Sequence, residues 1–349
     1  MPGFVAVHTG AGNSIDETLY KNVCEDACVQ GVNVLRSGGS ALDACELAIV
    51  TLENSCATNA GVGSNLTWNG LVECDACIMD GSTLQFGACT NVSDVKNPIS
   101  LARHICERQS KLLSFGRIPP MVLAGKGASA YAKEIGLRLV AREQMVSIKA
   151  AKSYDHYRKT ITDYEETNQI KLSPLDTVGA VCVDADGSIV AGCSSGGLLL
   201  KMSGRIGQAA TYGAGCWALT DETSCMSAAT CTTGNGEFLM KTLFAKELVE
   251  DLINCNCPIT SQHQTYQKKL LDSPFLAKQK EIYAGSLSLI YNTASNDGDL
   301  LWAHTTNSMC LGFQSTRHKK PKCVVSKLPP NIFCGTKTVV SGHHFKLNY

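Results

Sequence analysis

An α+β fold of layered sheets covered by helices is what this 349-residue sequence predicts. Strand-like apolar runs lie near both ends of the chain and in its middle: FVAVH at 4–8, TVGAVCV at 177–183 and SLSLIYN at 286–292. Long segments between them carry apolar residues at helical spacing instead. The Asp186-Gly187 pair joins two strand runs as a tight turn, so hairpins rather than strict strand–helix alternation build the sheets.

Each element follows in order. Residues 4–8 form a strand running into the Gly-rich turn T-G-A-G. Behind it Tyr20, Val23, Cys24, Ala27, Cys28, Gly31, Val32 and Leu35 share one helix face. Gly38 and Gly39 stop that helix, and Ser40 is the N-cap of a second through about Glu53. A Gly- and Asn-rich loop, N-A-G-V-G-S-N, spans 59–65, before strand pieces around 71–79 and 84–90 and a helix from about 98 to 112. Residues 147–174, rich in Lys, Asp, Glu and Tyr, read as an exposed, mobile segment with some helix. Phe238, Ala245, Leu248, Val249 and Leu252 give the apolar face of a helix over 236–254. LLWAHTTNSMCLGF at 300–313 returns the chain to strand, and no internal repeat is visible.

The totals exclude several classes. Lys plus Arg equals Asp plus Glu at 31 each, so no strong field draws the chain to nucleic acid or to a membrane surface. No window reaches the apolar length of a membrane span. The start, MPGFVAVHTGAG, has no basic segment followed by an apolar run, so secretion is not expected and a cytoplasmic or nuclear location is. Eighteen Cys in so large a chain are then reduced thiols, many of them in apolar runs, such as Cys182 and Cys193. Cys74 and Cys77 have zinc-like spacing, but Cys255 and Cys257 are too close together to complete a site. The pair reads as buried strand, and no metal ligands are assigned.

The chemistry concentrates at SPLDTVGAVCVD, residues 173–184. A carboxylate, a hydroxyl and a Gly stand together where a polar segment turns into strand. With a two-residue turn at Asp186-Gly187, Thr177 faces Gly196; a slip of one residue puts Ser195 opposite instead. Either way two hydroxyls meet at the open end of one hairpin. A Thr hydroxyl needs a base, and no His is evident nearby, since His156 and His304 lie elsewhere in the sequence. Cleavage at Asp176–Thr177 would supply one, because a freed α-amine has a pKa near 7.7–8.0. The turn T-T-G-N-G-E at 232–237 offers backbone N–H groups for an oxyanion, with Thr233 and Gly234 as candidates. Arg205, between glycines in S-G-R-I-G-Q, could clamp a carboxylate.

H-T-G-A-G at 8–12, N-A-G-V-G-S-N at 59–65, L-D-T-V-G-A-V at 175–181, S-S-G-G at 194–197, G-R-I-G-Q at 204–208 and G-N-G-E at 234–237 together resemble the threonine aspartases, or taspases. These lie in the type 2 asparaginase branch of the N-terminal-nucleophile hydrolases. The resemblance implies an αββα sandwich forming a single domain. It also implies self-cleavage into an α subunit, 1–176, and a β subunit, 177–349, which associate as an αβ heterodimer or its dimer. Thr177 is then similar to the nucleophile, Ser195 to its supporting hydroxyl, and Thr233 with Gly234 to the oxyanion side. Arg205, Gln208, Gly236, Gly10 and Asn59 are similar to the substrate-binding wall. The asparaginases and β-aspartyl peptidases resemble G-R-V-G-D at 204–208, where the Asp holds a substrate ammonium; this chain has Gln208. No catalytic cofactor is implied, although relatives bind a structural sodium through carbonyls at the loop matching 52–63.

The expected function is therefore a threonine endopeptidase that cuts itself before Thr177 and then cuts proteins after Asp, within an apolar-Asp-Gly site. The resemblance implies transcription regulators as substrates. The near alternative is an L-asparaginase or β-aspartyl (isoaspartyl) peptidase. Alternatives of other classes are a catalytically silent scaffold and a thiol redox or zinc protein using Cys74 and Cys77. The basic run R-H-K-K-P-K at 317–322 reads as a solvated loop.

Overall fold

A computed structural model describes residues 1–12, 16–164 and 176–347. The first part of the chain supplies strands β1 (Phe4–Gly12), β2 (Cys74–Asp80), β3 (Phe86–Val92) and β4 (Val122–Ala124). Its helices are α1 (Glu17–Arg36), α2 (Ala41–Glu53), α3 (Pro98–Arg108), α4 (Gly125–Glu134) and α5 (Ile148–Tyr164). From Thr177 onward come β5 (Val178–Val183), β6 (Ile189–Ser195), β7 (Cys216–Asp221), β8 (Met226–Gly234) and β9 (Ala284–Asn292). The strands β10 (Asp297–His304), β11 (Ser308–Ser315), β12 (Lys322–Lys327) and β13 (Val339–Lys346) complete the set. Helices α6 (Gly236–Lys241), α7 (Phe244–Ile253) and α8 (Pro258–Thr265) lie between β8 and β9.

Two sheets form among the described residues. The larger runs β12-β11-β1-β5-β6-β2-β3-β4 and the smaller runs β13-β10-β9-β8-β7. The larger sheet is covered on both faces, so its central strands are buried along almost their whole length. Their side chains still part with period two. Val5, Val7, Val178, Ala180 and Cys182 join the core under α1 and α2, whereas Phe4, Ala6, Val181 and Val183 join the core shared with the smaller sheet. Phe244, Leu248, Tyr266 and Leu270 cover the far face of the smaller sheet. Helix, sheet, sheet and helix make the expected αββα sandwich. Because β1 pairs with both β5 and β11, residues on either side of Asp176–Thr177 share one sheet.

Local sequence accounts for most boundaries. Helix α1 buries seven of the residues read as its apolar face, Val23 through Leu35. Ser40 caps α2 in a capping box, its Oγ accepting from Asp43 N at 3.1 Å while Asp43 Oδ2 accepts from Ser40 N at 2.9 Å. Two expectations need correction. The helix read over 236–254 is two, because Leu243 takes a left-handed φ of 47° and turns the chain between α6 and α7. The strand run at 300–313 breaks into β10 and β11, paired to different sheets. The stretch 147–176, expected to be exposed and mobile with some helix, begins with α5, which contacts the loop between α2 and β2. Tyr154 Oη and Arg158 Nη1 both donate to Trp68 O, at 3.1 and 3.0 Å, and the Arg158 guanidinium lies over the Trp68 ring. Residues 165–175 lie outside the described residues.

Cys74 and Cys77 are buried β2 residues and free thiols. Among the described residues no group of three or more His, Cys, Asp or Glu is placed to hold a metal ion, and no helix is long and apolar enough to cross a membrane. Residues 317–320, in the basic run, are exposed between β11 and β12.

Candidate active site

The β5–β6 hairpin sets the centre of the site. Its register runs from Val178 opposite Ser194 to Val183 opposite Ile189, one residue away from that of a two-residue turn. The reason is Asp184, whose Oδ1 accepts from Asp186 N at 3.1 Å and Ser188 N at 3.0 Å. Asp184 N in turn donates to Ser188 O, which closes a three-residue loop with Gly187 at φ +79°. The slipped register puts Thr177 level with Ser195. Thr177 Oγ1 donates to Ser195 Oγ at 3.2 Å, and both residues are buried.

Every sequence-derived candidate reaches this point, although some with different contacts than expected. Thr233 was placed on the oxyanion side. In the uncut chain its Oγ1 accepts from Thr177 N at 3.2 Å, so it also faces the nitrogen of the Asp176–Thr177 bond. Gly234 lines the cavity at φ +132°, where a Cβ would lie 2.3 Å from Tyr283 O. Gln208 was read as part of the substrate wall. Its Nε2 donates to Thr177 Oγ1 at 2.8 Å, which places an uncharged amide on the hydroxyl itself. Asn59 lines the same cavity and acts on the loops: its Nδ2 donates to Gly197 O at 2.9 Å and its Oδ1 accepts from Asn65 N at 2.8 Å. Gly10, at φ +112°, lies against Asp176, and a Cβ there would be 2.7 Å from Asp176 Cα. A Cβ on Gly236 would lie 2.6 Å from Gln208 Oε1 and 2.9 Å from Arg205 Nη2.

Arg205 lines the cavity and is already engaged. Its Nε and Nη2 donate to the two carboxylate oxygens of Glu237, at 2.8 and 2.7 Å. Burial works against the charged form of Glu237, but the Arg205 hydrogen bonds and charge outweigh it and hold the carboxyl below the usual range. Asp176 behaves oppositely: burial pushes its carboxyl up to about 7, against the pull of Lys149.

Sequence reasoning missed four neighbours. Glu237 stood in the quoted G-N-G-E run, but its charge was not matched to Arg205. Asp75, which follows Cys74 in β2, is fully buried. It accepts from Thr90 Oγ1 at 2.6 Å, Asn91 N at 3.0 Å and Gly207 N at 3.0 Å, and so fixes the backbone that carries Arg205 and Gln208. Lys201 is buried beside Gly197, its Nζ donating to Glu73 O at 2.6 Å. The fourth, His8, corrects the reading that no His is near. It lies opposite Gly179 in the β1–β5 pairing, two residues along β5 from Thr177. Burial lowers its pKa to about 3, and its Nδ1 accepts from Gly10 N at 3.2 Å, so the ring is neutral and tied to the turn. Only long-range pairing brings it there, and no local signal in the sequence could have found it.

The arrangement can present one hydroxyl, Thr177 Oγ1, with an acceptor for its proton and a donor to its oxygen. Ser195 Oγ is that acceptor and also accepts from Gly197 N at 3.0 Å. Ser195→Ala leaves both donors unmatched in a buried place, roughly 1–3 kcal/mol. Turnover of the variant should fall on the order of 10- to 100-fold, and its melting temperature by about a few degrees. Rates equal to wild type, measured on enzyme of verified mass, would show that the hydroxyl pair carries no function.

Comparison with known proteins places this geometry. A family model described as Asparaginase, Asparaginase_2, matches residues 1–323. The isoaspartyl peptidase/L-asparaginase of Xenopus laevis is 35% identical over 255 residues, covering 72% of this chain and 76% of that protein. The human protein of the same name is 36% identical over 249 residues, covering 70% and 75%. The plant-type L-asparaginase of Thermococcus kodakarensis is 36% identical over 259 residues, covering 70% and 78%. None of these three is named a threonine aspartase, so the narrower resemblance drawn from the motifs is not what their names say. The chain belongs to the Asparaginase_2 family, and is a hydrolase of the N-terminal-nucleophile class.

Proposed function

We propose that this hydrolase is a threonine endopeptidase that cuts itself at Asp176–Thr177 and then cuts proteins after Asp. Thr177 Oγ attacks the Asp176 carbonyl carbon, the C–N bond breaks as the nitrogen takes a proton, and an ester remains. Water hydrolyses that ester to leave subunits 1–176 and 177–349, associated as an αβ heterodimer or its dimer. The freed amine, held by Thr233, then takes the Oγ proton when a substrate carbonyl is attacked, and returns it to the leaving amine. Arg205 takes the carboxylate of the substrate's Asp.

The observation that carries this reading is Gln208. It puts a neutral amide on Thr177 Oγ1, at the position where the motif of the asparaginases has an Asp for an ammonium. A substrate cut within a chain brings no free ammonium to that place, and an acid there would repel its carboxylate. The second reading, L-asparaginase or isoaspartyl peptidase, is favoured by the names of the relatives.

One preparation of processed enzyme should be given an apolar-Asp-Gly peptide, its Asn counterpart, a β-aspartyl dipeptide and L-asparagine. The Asp peptide should be cut at least tenfold faster than the others, which corresponds to about 1.4 kcal/mol. Ammonia release from asparagine, or dipeptide cleavage, with the Asp peptide left intact would establish the second reading.

A structural sodium in the 52–63 loop is part of the proposal. The carbonyls of Ser55 and Thr58 both turn on Gly63, where a Cβ would lie 2.7 and 2.1 Å from their oxygens. Carbonyl oxygens are the ligand type that a hard cation takes. Beside them Lys149 Nζ sits 3.1 Å from Ala57 O, an ammonium already serving one carbonyl of the loop. The ion would hold the loop that carries Asn59 and take no part in the chemistry.

A further inference from the structure

We propose that Glu237 is a positioning residue for substrate recognition. It grips Arg205 side-on, and so aims the end of the guanidinium at the carboxylate of an acidic substrate. This rests on the proposed contact between Arg205 and a substrate carboxylate, which the endopeptidase and isoaspartyl peptidase readings share.

A guanidinium has five N–H donors in a rigid plane and offers a carboxylate either a side edge, Nε with Nη2, or an end edge, Nη1 with Nη2. Glu237 takes the side edge with both oxygens, at 2.8 and 2.7 Å. One hydrogen of Nη2 and one of Nη1 remain for the end edge, while the second hydrogen of Nη1 points away from it, toward the Cδ side. Nη1 lies by two glycines, of which Gly197 lines the cavity: a Cβ on Gly207 would be 2.9 Å from it and one on Gly197 3.2 Å. Gly236 gives Nη2 the same close passage, at 2.9 Å. The end edge is therefore the part that reaches the cavity where Thr177 and Gln208 meet.

The exposures fit a holder rather than an occupant of the substrate's place. The Arg205 side chain is 15% exposed and that of Glu237 46%, so the acid grips the base from the solvent side. An exposed ion pair contributes little to stability. A two-pronged one on a half-enclosed Arg instead removes the rotamer freedom that a substrate would otherwise have to freeze. Gly207 N, bonded to Asp75 Oδ2 at 3.0 Å, fixes the backbone from the opposite side. Arg205 is thus set before substrate arrives.

The test compares wild type, Glu237→Gln and Glu237→Ala as processed enzymes. Each is assayed on the substrate that wild type prefers and on the same molecule with its recognised carboxylate changed to an amide. Both variants should raise KM for the acid about tenfold and leave kcat within about twofold, while the amide is turned over as by wild type. Calorimetric titration with L-aspartate reads the same change without turnover, as a Kd raised about tenfold. An unchanged KM and Kd overturns the proposal. A lowered KM also does, because Glu237 would then be a competitor on the substrate's own edge, and equal losses on acid and amide would mark a merely structural residue. Which substrate wild type prefers is settled separately, so failure of the endopeptidase reading does not disguise failure of this one.

Discussion

Thr177→Ala should stay a single chain of 349 residues on intact-mass analysis, while wild type separates into two fragments. The smaller fragment should begin T-V-G-A-V on amino-terminal sequencing. The expectation rests on the hydroxyl's surroundings. Thr177 Oγ1 receives a hydrogen bond from Gln208 Nε2 and gives one to Ser195 Oγ, so its proton already points at an acceptor. Removing that oxygen removes the group that forms the ester, and water attack on a peptide bond is slower by many orders of magnitude. Thr177→Ser keeps the oxygen and loses the methyl that limits its rotamers, so it should process, but more slowly. A Thr177→Ala chain that still splits before residue 177 would assign the attack to another group. Ser195, the nearest hydroxyl, would be the first to test.

How far the sequence could be read is clearest at the hairpin. Turn chemistry placed Thr177 near Ser195 but left the register open by one residue. The deciding bonds come from Asp184, outside the Asp186-Gly187 pair that signalled the turn. The sandwich was legible for a similar reason: period-two burial and helical spacing are local signals, and the two faces of β1 sort as the pattern requires. The break at Leu243 was not, because a Leu at positive φ is imposed by packing and has no mark in the sequence. The site divides along the same line. Residues in Gly-rich turns announced themselves, whereas His8 and Asp75 act through pairings between strands distant in sequence, β1 with β5 and β2 with β6. Gln208 was legible as a departure from an acid, but its contact with the Thr177 hydroxyl was visible only in three dimensions.

Arg205→Ala should lower kcat/KM for the acidic substrate at least 100-fold. A charge-assisted hydrogen bond contributes about 1.5–3 kcal/mol, and loss of a two-pronged contact at an enclosed site approaches the upper end. A second effect adds to the loss. Without Arg205, Glu237 keeps a carboxylate at the edge of the cavity with no guanidinium to neutralise it, and that charge repels the substrate's own. The double variant Arg205→Ala with Glu237→Gln should therefore be several-fold better than Arg205→Ala alone on the acid, and no better on its amide counterpart. Such a recovery cannot come from restored binding, since no cation has been returned to the site. It would measure the repulsion directly, as the non-additivity of the two changes. Thermal melts of the processed variants check that the fold is intact. If Arg205→Ala loses acid and amide substrates alike, then Arg205 holds the fold of the site and not the substrate, and the charge on which the proposed specificity depends must be sought at Lys201, the buried ammonium beside Gly197.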